Sequence, residues 1–227
     1  MSAAPAQLAD GLWRWTARHP VWHPGEFGSE VASFALQADA DTVLIDPLLP
    51  AEPEPVLDLV ERILGDRLAI LITVPYHVRS SEKIRRRFAD RAETSIWGHR
   101  ACAKRLEDKA GFTAFEPGDR LPAGVSAHRI GKPRRHETPL HLPSHDAIAF
   151  GDAVAEVDGR LRVWSDRSLD PDVTRFYQER FNPTLEPLLD LDFDRVLVTH
   201  GEPVLSDGRK ALKAALRAKP WYRTPAD

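Results

Sequence analysis

Short apolar runs alternate along this chain with longer segments whose apolar residues recur at helical spacing. The short runs predict strands and the longer segments predict helices. The predicted strands are Leu12–Thr16, Val31–Gln37, Thr42–Ile45, Ala69–Thr73, Thr94–Trp97, Val125–Ile130, Thr138–Leu142, Ala147–Phe150, Leu161–Trp164 and Arg195–Thr199. The predicted helices are Pro55–Leu64, Ser81–Asp90, Arg100–Ala110, Pro171–Arg180, Thr184–Leu189 and Asp207–Ala218. Strands and helices mixed in this order predict an α/β or α+β fold.

The order of these elements indicates how the chain is organised. A strand-rich N-terminal third is followed by helices, and a second strand-rich block runs from about Val125 to Trp164 before further helices and a final strand. No internal repeat or low-complexity linker separates these parts. We therefore expect residues 1–227 to form a single domain in which two similar halves pack face to face.

Composition excludes several classes of protein. With 42% hydrophobic residues the chain is typical of globular proteins and not of disordered ones. Its formal charge of -3, from 31 Lys and Arg against 34 Asp and Glu, does not attract nucleic acid or an anionic membrane. A single cysteine, Cys102, and an N-terminus without an apolar leader predict a cytoplasmic protein. The expected partner is a small-molecule ligand or substrate of unknown identity, with no nucleic acid and no membrane.

Polar residues follow four of the predicted strands directly. The four places are Asp46 after Thr42–Ile45, the segment Val74-Pro-Tyr-His-Val-Arg-Ser-Ser after Ala69–Thr73, Gly151-Asp152 after Ala147–Phe150, and His200-Gly201 after Arg195–Thr199. In layered folds of this type, ligands bind beyond the carboxyl ends of strands. We therefore expect these four strand ends to line one cleft.

In their order along the chain, the four motifs resemble those of the metallo-β-lactamase superfamily. Asp46 is similar to the first Asp of that superfamily, Thr73–Ser81 occupies its HxHxDH loop, Asp152 matches its bridging Asp and His200-Gly201 matches its last motif. The resemblance spans most of the chain and implies a four-layer αββα sandwich. It also implies a metal-dependent hydrolase.

The sequence departs from the superfamily in the HxHxDH loop. The positions of its three His and one Asp hold Val74, Tyr76, Val78 and Arg79, while His77 falls on a spacer position. A valine offers no lone pair to zinc, which takes nitrogen, oxygen or sulfur ligands. The departure implies that the centre for two metal ions is largely lost.

The middle motif of the superfamily has three candidates, His136, Glu137 and His141, of which Glu137 is the preferred one. Two alternatives stay open for the metal. A single zinc or iron ion would be held by Asp152, His200 and His77, with water in the remaining position. Otherwise the site holds no metal.

Arg79 is expected to replace the missing positive charge. Its guanidinium would form a bidentate contact with Asp152 or Asp46, and the alternative is a solvated arginine at the start of a helix. Tyr76 and Glu137 are expected to line the same site. A second basic group, Lys132, Arg134 and Arg135, is interpreted as a solvated face.

The segment from Trp13 to Trp22, with Trp15, His19, His23 and Pro24, has two interpretations. It would rim a pocket, or it would pack as part of an N-terminal strand pair, which is the simpler account.

Two functions follow from these observations. The first is a hydrolase-like protein of the superfamily that is inactive or uses one metal ion, without ordinary β-lactamase or thioester hydrolase activity. The second is a non-catalytic domain that keeps the sandwich and its cleft to bind a small molecule or a protein. Serine hydrolase and nucleotide chemistry are disfavoured, because the sequence has no GxSxG, P-loop or GxGxxG motif.

Overall fold

The computed structural model describes residues 4–22 and 28–222. Its first sheet is built from the N-terminal half of the chain. The strands are β1 (Ala6–Ala9), β2 (Leu12–Arg18), β3 (Glu30–Ala38), β4 (Asp41–Ile45), β5 (Arg67–Ile72), β6 (Glu93–Gly98) and β7 (Phe112–Ala114), and they lie side by side in that order. Neighbours from β1 to β4 are antiparallel, and neighbours from β4 to β7 are parallel.

The second sheet comes from the C-terminal half. The strands of that half are β8 (Ser126–Ala127), β9 (Leu140–Leu142), β10 (Ala147–Phe150), β11 (Val154–Val157), β12 (Arg160–Val163) and β13 (Arg195–Val198). Four of them form a sheet in the order β13-β10-β9-β8, in which only β10 and β13 are parallel. The other two, β11 and β12, form a separate antiparallel hairpin.

The α-helices of the described residues are α1 (Glu54–Arg62), α2 (Ser81–Phe88), α3 (Pro171–Phe176) and α4 (Gly208–Arg217). Shorter helical turns include the 3-10 helices Pro75–Val78 and Arg100–Lys104, and a π-helical turn at Tyr177–Phe181 continues α3. No helix among the described residues is long and apolar enough to cross a membrane.

Three apolar layers separate the four structural layers. Ile45 and Leu71 of the first sheet pack with Leu140 and Leu197 of the second, which places one core between the sheets. Neighbouring strand residues point the opposite way, as the strand geometry requires. Leu44 therefore belongs to a second core beneath α1 and α2. A third core lies between the outer face of the second sheet and α4. The architecture is the αββα sandwich that the resemblance implies.

Most predicted elements are present, with three corrections. The predicted helix Thr184–Leu189 is replaced by two 3-10 turns, Asn182–Thr184 and Glu186–Asp190. The predicted strand Val125–Ile130 is reduced to β8, because the residues around it form turns closed by local hydrogen bonds. The predicted helix Arg100–Ala110 ends as a 3-10 helix at Lys104. The strands β1, β7 and β11 were not predicted. Each is only three or four residues long.

Candidate functional site

Four strand ends meet at one edge of the sandwich. Asp46 follows β4, Thr73 follows β5, Asp152 lies two residues beyond β10 and His200 two residues beyond β13. His77, in the 3-10 helix that follows Thr73, contacts the carboxylates of both Asp46 and Asp152. The four strand ends therefore meet at one site, as the sequence predicted.

Asp46 is the buried anchor of the site, with 1% of its surface exposed. One carboxylate oxygen accepts the Thr73 amide at 2.8 Å, and the other accepts the Thr73 hydroxyl. The second oxygen also lies 2.8 Å from Nδ1 of His77. These contacts tie the end of β4 to the end of β5 and leave the Asp46 carboxylate well supplied with donors.

His77 bridges the two acids. Its Nδ1 faces Asp46 and its Nε2 lies 3.3 Å from Oδ1 of Asp152. Each nitrogen lies beside a carboxylate oxygen, and an imidazolium can donate from both of its nitrogens. Burial lowers the pKa of His77, and so does Arg79. Asp46 and Asp152 raise it by more than these two effects lower it, so the net pKa is raised. His77 is therefore the cation between the two carboxylates.

Three basic side chains lie close to the carboxylate of Asp152. Nε2 of His77 and Nε2 of His200 lie 3.3 and 3.5 Å from its Oδ1, and Nη1 of Arg134 lies 3.7 Å from its Oδ2. Burial raises the pKa of Asp152, but His77 and His200 lower it well below its ordinary range. Burial lowers the pKa of His200, so this ring is the neutral partner of the group.

Glu137 holds the loop that carries Asp152. Its Oε1 accepts the amides of Gly151 and Ala153, both at 3.0 Å. Burial raises the pKa of Glu137 to about 7, with Arg134 opposing the effect and Asp152 adding to it. Of the three candidates for the middle motif, Glu137 is the one at this site.

The other two candidates lie elsewhere. The His136 ring stacks on His99 with 4.9 Å between centroids, and Nε2 of His141 contacts the carbonyl oxygen of Asp192.

Arg79 does not form the contact that the sequence predicted. Its Nη1 donates to the main-chain oxygen of Asp46 at 3.0 Å, and its Nε is buried without a hydrogen-bond partner among the described residues. No ion pair joins its guanidinium to the carboxylate of Asp46 or Asp152 in the described part of the chain. The reason is that Thr73 and His77 already bind the Asp46 carboxylate. Arg79 does lie just before the start of α2, but the alternative of a solvated arginine is wrong too, because the residue is partly buried.

Arg134 takes the role that was predicted for Arg79. Its side chain is 13% exposed, so the prediction of a solvated basic face is wrong for this residue. The guanidinium carbon lies 5.1 Å from the ring centroid of Trp164, and the Trp164 ring meets His200 edge-on at 5.1 Å. Arg134 lies in a loop without a periodic pattern, and no sequence signal distinguished it from Lys132 and Arg135.

A cavity of about 350 Å³ opens over these residues. Charged, histidine and aromatic side chains all contribute to its lining. It is lined by His19, Trp22, Gly28, Val31, Tyr76, His77, Arg79, Arg134, Asp152, Trp164, Asp166 and His200. Tyr76 is 65% exposed at the rim, with the guanidinium of Arg105 4.3 Å from its ring centroid.

The N-terminal segment serves both of its predicted purposes. Trp15 is buried and donates from Nε1 to the Leu48 oxygen, while His19 and Trp22 line the cavity. His23 and Pro24 lie outside the described residues.

A larger cavity of about 730 Å³ lies away from this site. It is lined by residues at the starts of β4, β5 and β6, including Asp41, Arg67 and Glu93. Arg67 and Asp41 already form an ion pair there. We therefore place the candidate site at the smaller cavity, where the buried ionisable residues converge.

The resemblance implies zinc or iron at this site, and the side chains test that implication. Among the residues in the described ranges, no group of three or more His, Cys, Asp or Glu could hold a metal ion. Nδ1 and Nε2 of His77 lie 2.8 and 3.3 Å from carboxylate oxygens of Asp46 and Asp152, and Nε2 of His200 lies 3.5 Å from the same oxygen of Asp152. Arranged in this way, the residues do not fit a metal ion. The ligand set Asp152, His200 and His77 stays a prediction that metal titration can test.

Comparisons with known proteins identify the fold. No protein-family profile matches this sequence, and no curated protein matches it. Among solved structures, a metallo-β-lactamase family protein from Thermus thermophilus is 17% identical, with a TM-score of 0.58 over 92% of this chain and 79% of that one. A metallo-β-lactamase from Pontibacter korlensis is 13% identical, with a TM-score of 0.60 over 96% and 99% of the two chains. One from Hirschia baltica is 12% identical, with a TM-score of 0.61 over 95% and 96%.

The four-layer arrangement and the cleft at the strand ends define the class as a layered αββα protein. More particularly, the likeness to these structures shows that the chain has the metallo-β-lactamase fold. At 12–17% identity the likeness extends to the fold and not to the activity of those proteins.

Proposed function

We propose that this protein is a small-molecule-binding domain that keeps the metallo-β-lactamase sandwich and its cleft but does not carry out two-metal hydrolysis. One observation carries the proposal. The His77 imidazole lies between Asp46 and Asp152, within 2.8 Å of one carboxylate and 3.3 Å of the other. A protonated side chain thereby supplies positive charge where the resemblance implies a metal ion.

The residues of the altered loop support the same conclusion. Val74 and Val78 are buried, with 5% of each exposed, and neither has a lone pair for zinc. Hydrolysis at two metals needs both ions to activate water and to stabilise the leaving group. Arg79 stands at a third ligand position and brings a further positive charge, which opposes the binding of a cation beside it.

The cavity supports a binding role. At about 350 Å³ it has the size of a small-molecule site, and it combines aromatic walls with a few charged groups. Three of the charged or histidine side chains, His77, Arg134 and Asp152, hold one another in place and so fix the shape of the pocket. A preformed pocket reduces the ordering cost of binding.

Metal analysis of protein purified without chelator tests the proposal. We expect no stoichiometric zinc or iron, and no zinc binding in a calorimetric titration of the wild type. One equivalent of zinc that is lost in Asp152→Ala would instead establish the mononuclear site of Asp152, His200 and His77. Two equivalents would overturn the proposal.

Arg79→His provides a matched gain-of-binding variant for that titration. It restores one ligand of the HxHxDH motif beside Asp152 and His200 and removes a positive charge. We expect it to raise zinc affinity above that of the wild type. An unchanged zinc affinity would mean that Arg79 is not what keeps zinc from the site.

An activity assay completes the test. We expect no metal-dependent turnover of a nitrocephin-like β-lactam or of a glutathione thioester. Turnover at an enzyme-like rate that Asp152→Ala abolishes would show that the site is a working hydrolase.

A further inference from the structure

Arg79 is the charged group of this site that the contacts described above leave without a carboxylate partner. His77 and Thr73 bind the carboxylate of Asp46, and the side chain of Asp152 is held by His77, His200 and Arg134. Of the three Arg79 nitrogens, only Nη1 has a hydrogen-bond partner among the described residues, and its partners are main-chain oxygens. The Nε atom is buried and unbonded in the described structure.

A buried cation that lacks a counterion destabilises a protein unless something compensates it. The guanidinium of Arg79 forms no ion pair with Asp46 or Asp152 in the described part of the chain, and its hydrogen bonds go to main-chain oxygens. Arg79 lines the cavity, so an anion entering the cavity can reach it.

We propose that the cavity binds a small organic carboxylate, with Arg79 as the counterion of the carboxylate group. The inference rests on the proposed binding function and names its ligand class. A guanidinium offers paired N–H donors that match the two oxygens of a carboxylate. The Nη2 atom of Arg79 has no partner among the described residues and, unlike the buried Nε, is the unpartnered donor that a carboxylate in the cavity can reach.

The rest of the cavity indicates what the carboxylate is attached to. Trp22, Trp164 and Tyr76 contribute to the walls, and aromatic side chains favour a flat apolar group. Asp152 and Asp166 also line the cavity, and their charge disfavours a dianion such as a phosphate monoester. The ligand class is thus a monoanion that joins one carboxylate to a planar apolar body.

Benzoate and benzamide test this inference with the wild-type protein alone. The two probes have the same shape and differ in charge. A probe of this size binds with a Kd on the order of 1 mM even at a suitable site. We expect benzoate to bind at least about tenfold more tightly than benzamide. A hydrogen bond to a charged group contributes more binding free energy than a tenfold difference in Kd represents. Titration by NMR, followed at the indole signals of Trp164, measures both affinities.

Three variants connect the effect to Arg79. Arg79→Gln removes the charge and should weaken benzoate binding by about tenfold or more, while leaving benzamide binding unchanged. Arg79→Lys keeps the charge and should recover part of the affinity. Arg91→Gln is the control, because Arg91 forms an ion pair with Glu61 and does not line the cavity.

Each other outcome overturns the inference in a recognisable way. Equal binding of benzoate and benzamide would exclude a carboxylate as the group that the pocket recognises. Full benzoate affinity in a folded Arg79→Gln variant would do the same. Either result would leave a pocket for neutral small molecules. Inorganic phosphate that binds as tightly as benzoate and depends on Arg79 would make the ligand an inorganic anion. Absence of benzoate binding would reject the ligand class. Metal analysis of the same protein sample tests the proposed function separately. Stoichiometric metal there would overturn the proposed function, whatever the result with benzoate.

Discussion

At the scale of single residues, His77 decides the charge balance of the site. Two carboxylates that share a buried site repel each other, and one of them takes up a proton unless a cation lies between them. The His77 ring lies in that position, 2.8 Å from Asp46 and 3.3 Å from Asp152. The same side chain therefore links the two strand ends and offsets the repulsion between the two acids.

Replacing His77 by glutamine should destabilise the protein most at low pH. Because the pKa of His77 is raised above its ordinary 6.5, its charge stabilises the fold fully below that value, and the stabilisation is lost as the pH rises through the raised pKa. Removing one partner from a buried charged group costs about 3–5 kcal/mol. We expect His77→Gln to lower the free energy of unfolding by that amount at about pH 5.5 and by less at about pH 9, where His77 carries less charge. Urea denaturation at the two values measures the difference, and a loss that is the same at both would contradict the bridging imidazolium.

Glu137 should change stability with pH in the same direction as His77, because the pKa of each is raised. Its pKa is raised from 4.5 to about 7, so the wild type loses stability as the pH rises between these values. Glu137→Gln keeps an oxygen to accept the amides of Gly151 and Ala153 but cannot ionise. We expect it to be more stable than the wild type by about 1–3 kcal/mol at about pH 8.5, and no more stable at about pH 4.5.

Glu137→Ala is the matched control for that measurement. It leaves the two amides without their acceptor and should destabilise the protein at both pH values. A glutamine variant that behaves like the alanine variant would show that the carboxylate charge is required.

At the scale of the elements, the turn after β10 depends on a glycine. A Cβ on Gly151 would lie 2.7 Å from Oγ1 of Thr73 and 3.1 Å from Cγ1 of Val74. The turn therefore passes too close to the end of β5 for any side chain. The same close approach brings Asp152 towards His77.

Gly151→Ala should therefore loosen the contact between the two strand ends. Overpacking of this kind costs about 1–3 kcal/mol, and we expect thermal unfolding to show a lower Tm. Gly28→Ala is the control, since no described atom lies within 4 Å of its added Cβ. Equal Tm values for the two variants would mean that the turn relaxes without cost.

The elements that the sequence predicted well are those with a continuous apolar run. The runs of β4, β5, β10 and β13 end at polar residues, so both the strands and the cleft at their ends were predictable. The helix predicted over Arg100–Ala110 is shorter because the Glu82 side chain accepts the amides of Glu107 and Asp108. A contact between residues so far apart in sequence leaves no local pattern.

The side chains of the site were predictable in part for the same reason. Asp46, Asp152 and His200 stand directly beyond strands, and their meeting follows from topology. The bridging position of His77 depends on a 3-10 helix, and that of Arg134 on an irregular loop. Neither structure has a periodic pattern that places its side chains.

At the scale of the whole molecule, the core between the sheets joins the two halves of the chain. Phe34 and Leu71 from the first half pack there with Leu140 and Leu197 from the second. The inner faces of the two sheets bury each other in the same apolar layer. If one sheet exposes its inner face to water, the inner face of the other sheet is exposed as well. The prediction of a single domain over residues 1–227 therefore becomes a prediction about unfolding.

We expect one cooperative transition, in which far-ultraviolet circular dichroism and tryptophan fluorescence change together. Trp15 and Trp97 report on the first half and Trp164 on the second, so fluorescence covers both. Leu197→Ala should lower the free energy of unfolding by about 2–5 kcal/mol, since Leu197 is fully buried between the sheets. Both signals should shift to the same lower denaturant concentration, because loss of packing on one sheet removes support from the other. Leu205→Ala, at a position that is 41% exposed, should change little. Two separate transitions, with only one affected by Leu197→Ala, would show that the halves fold independently and that the site at their junction forms only when they dock.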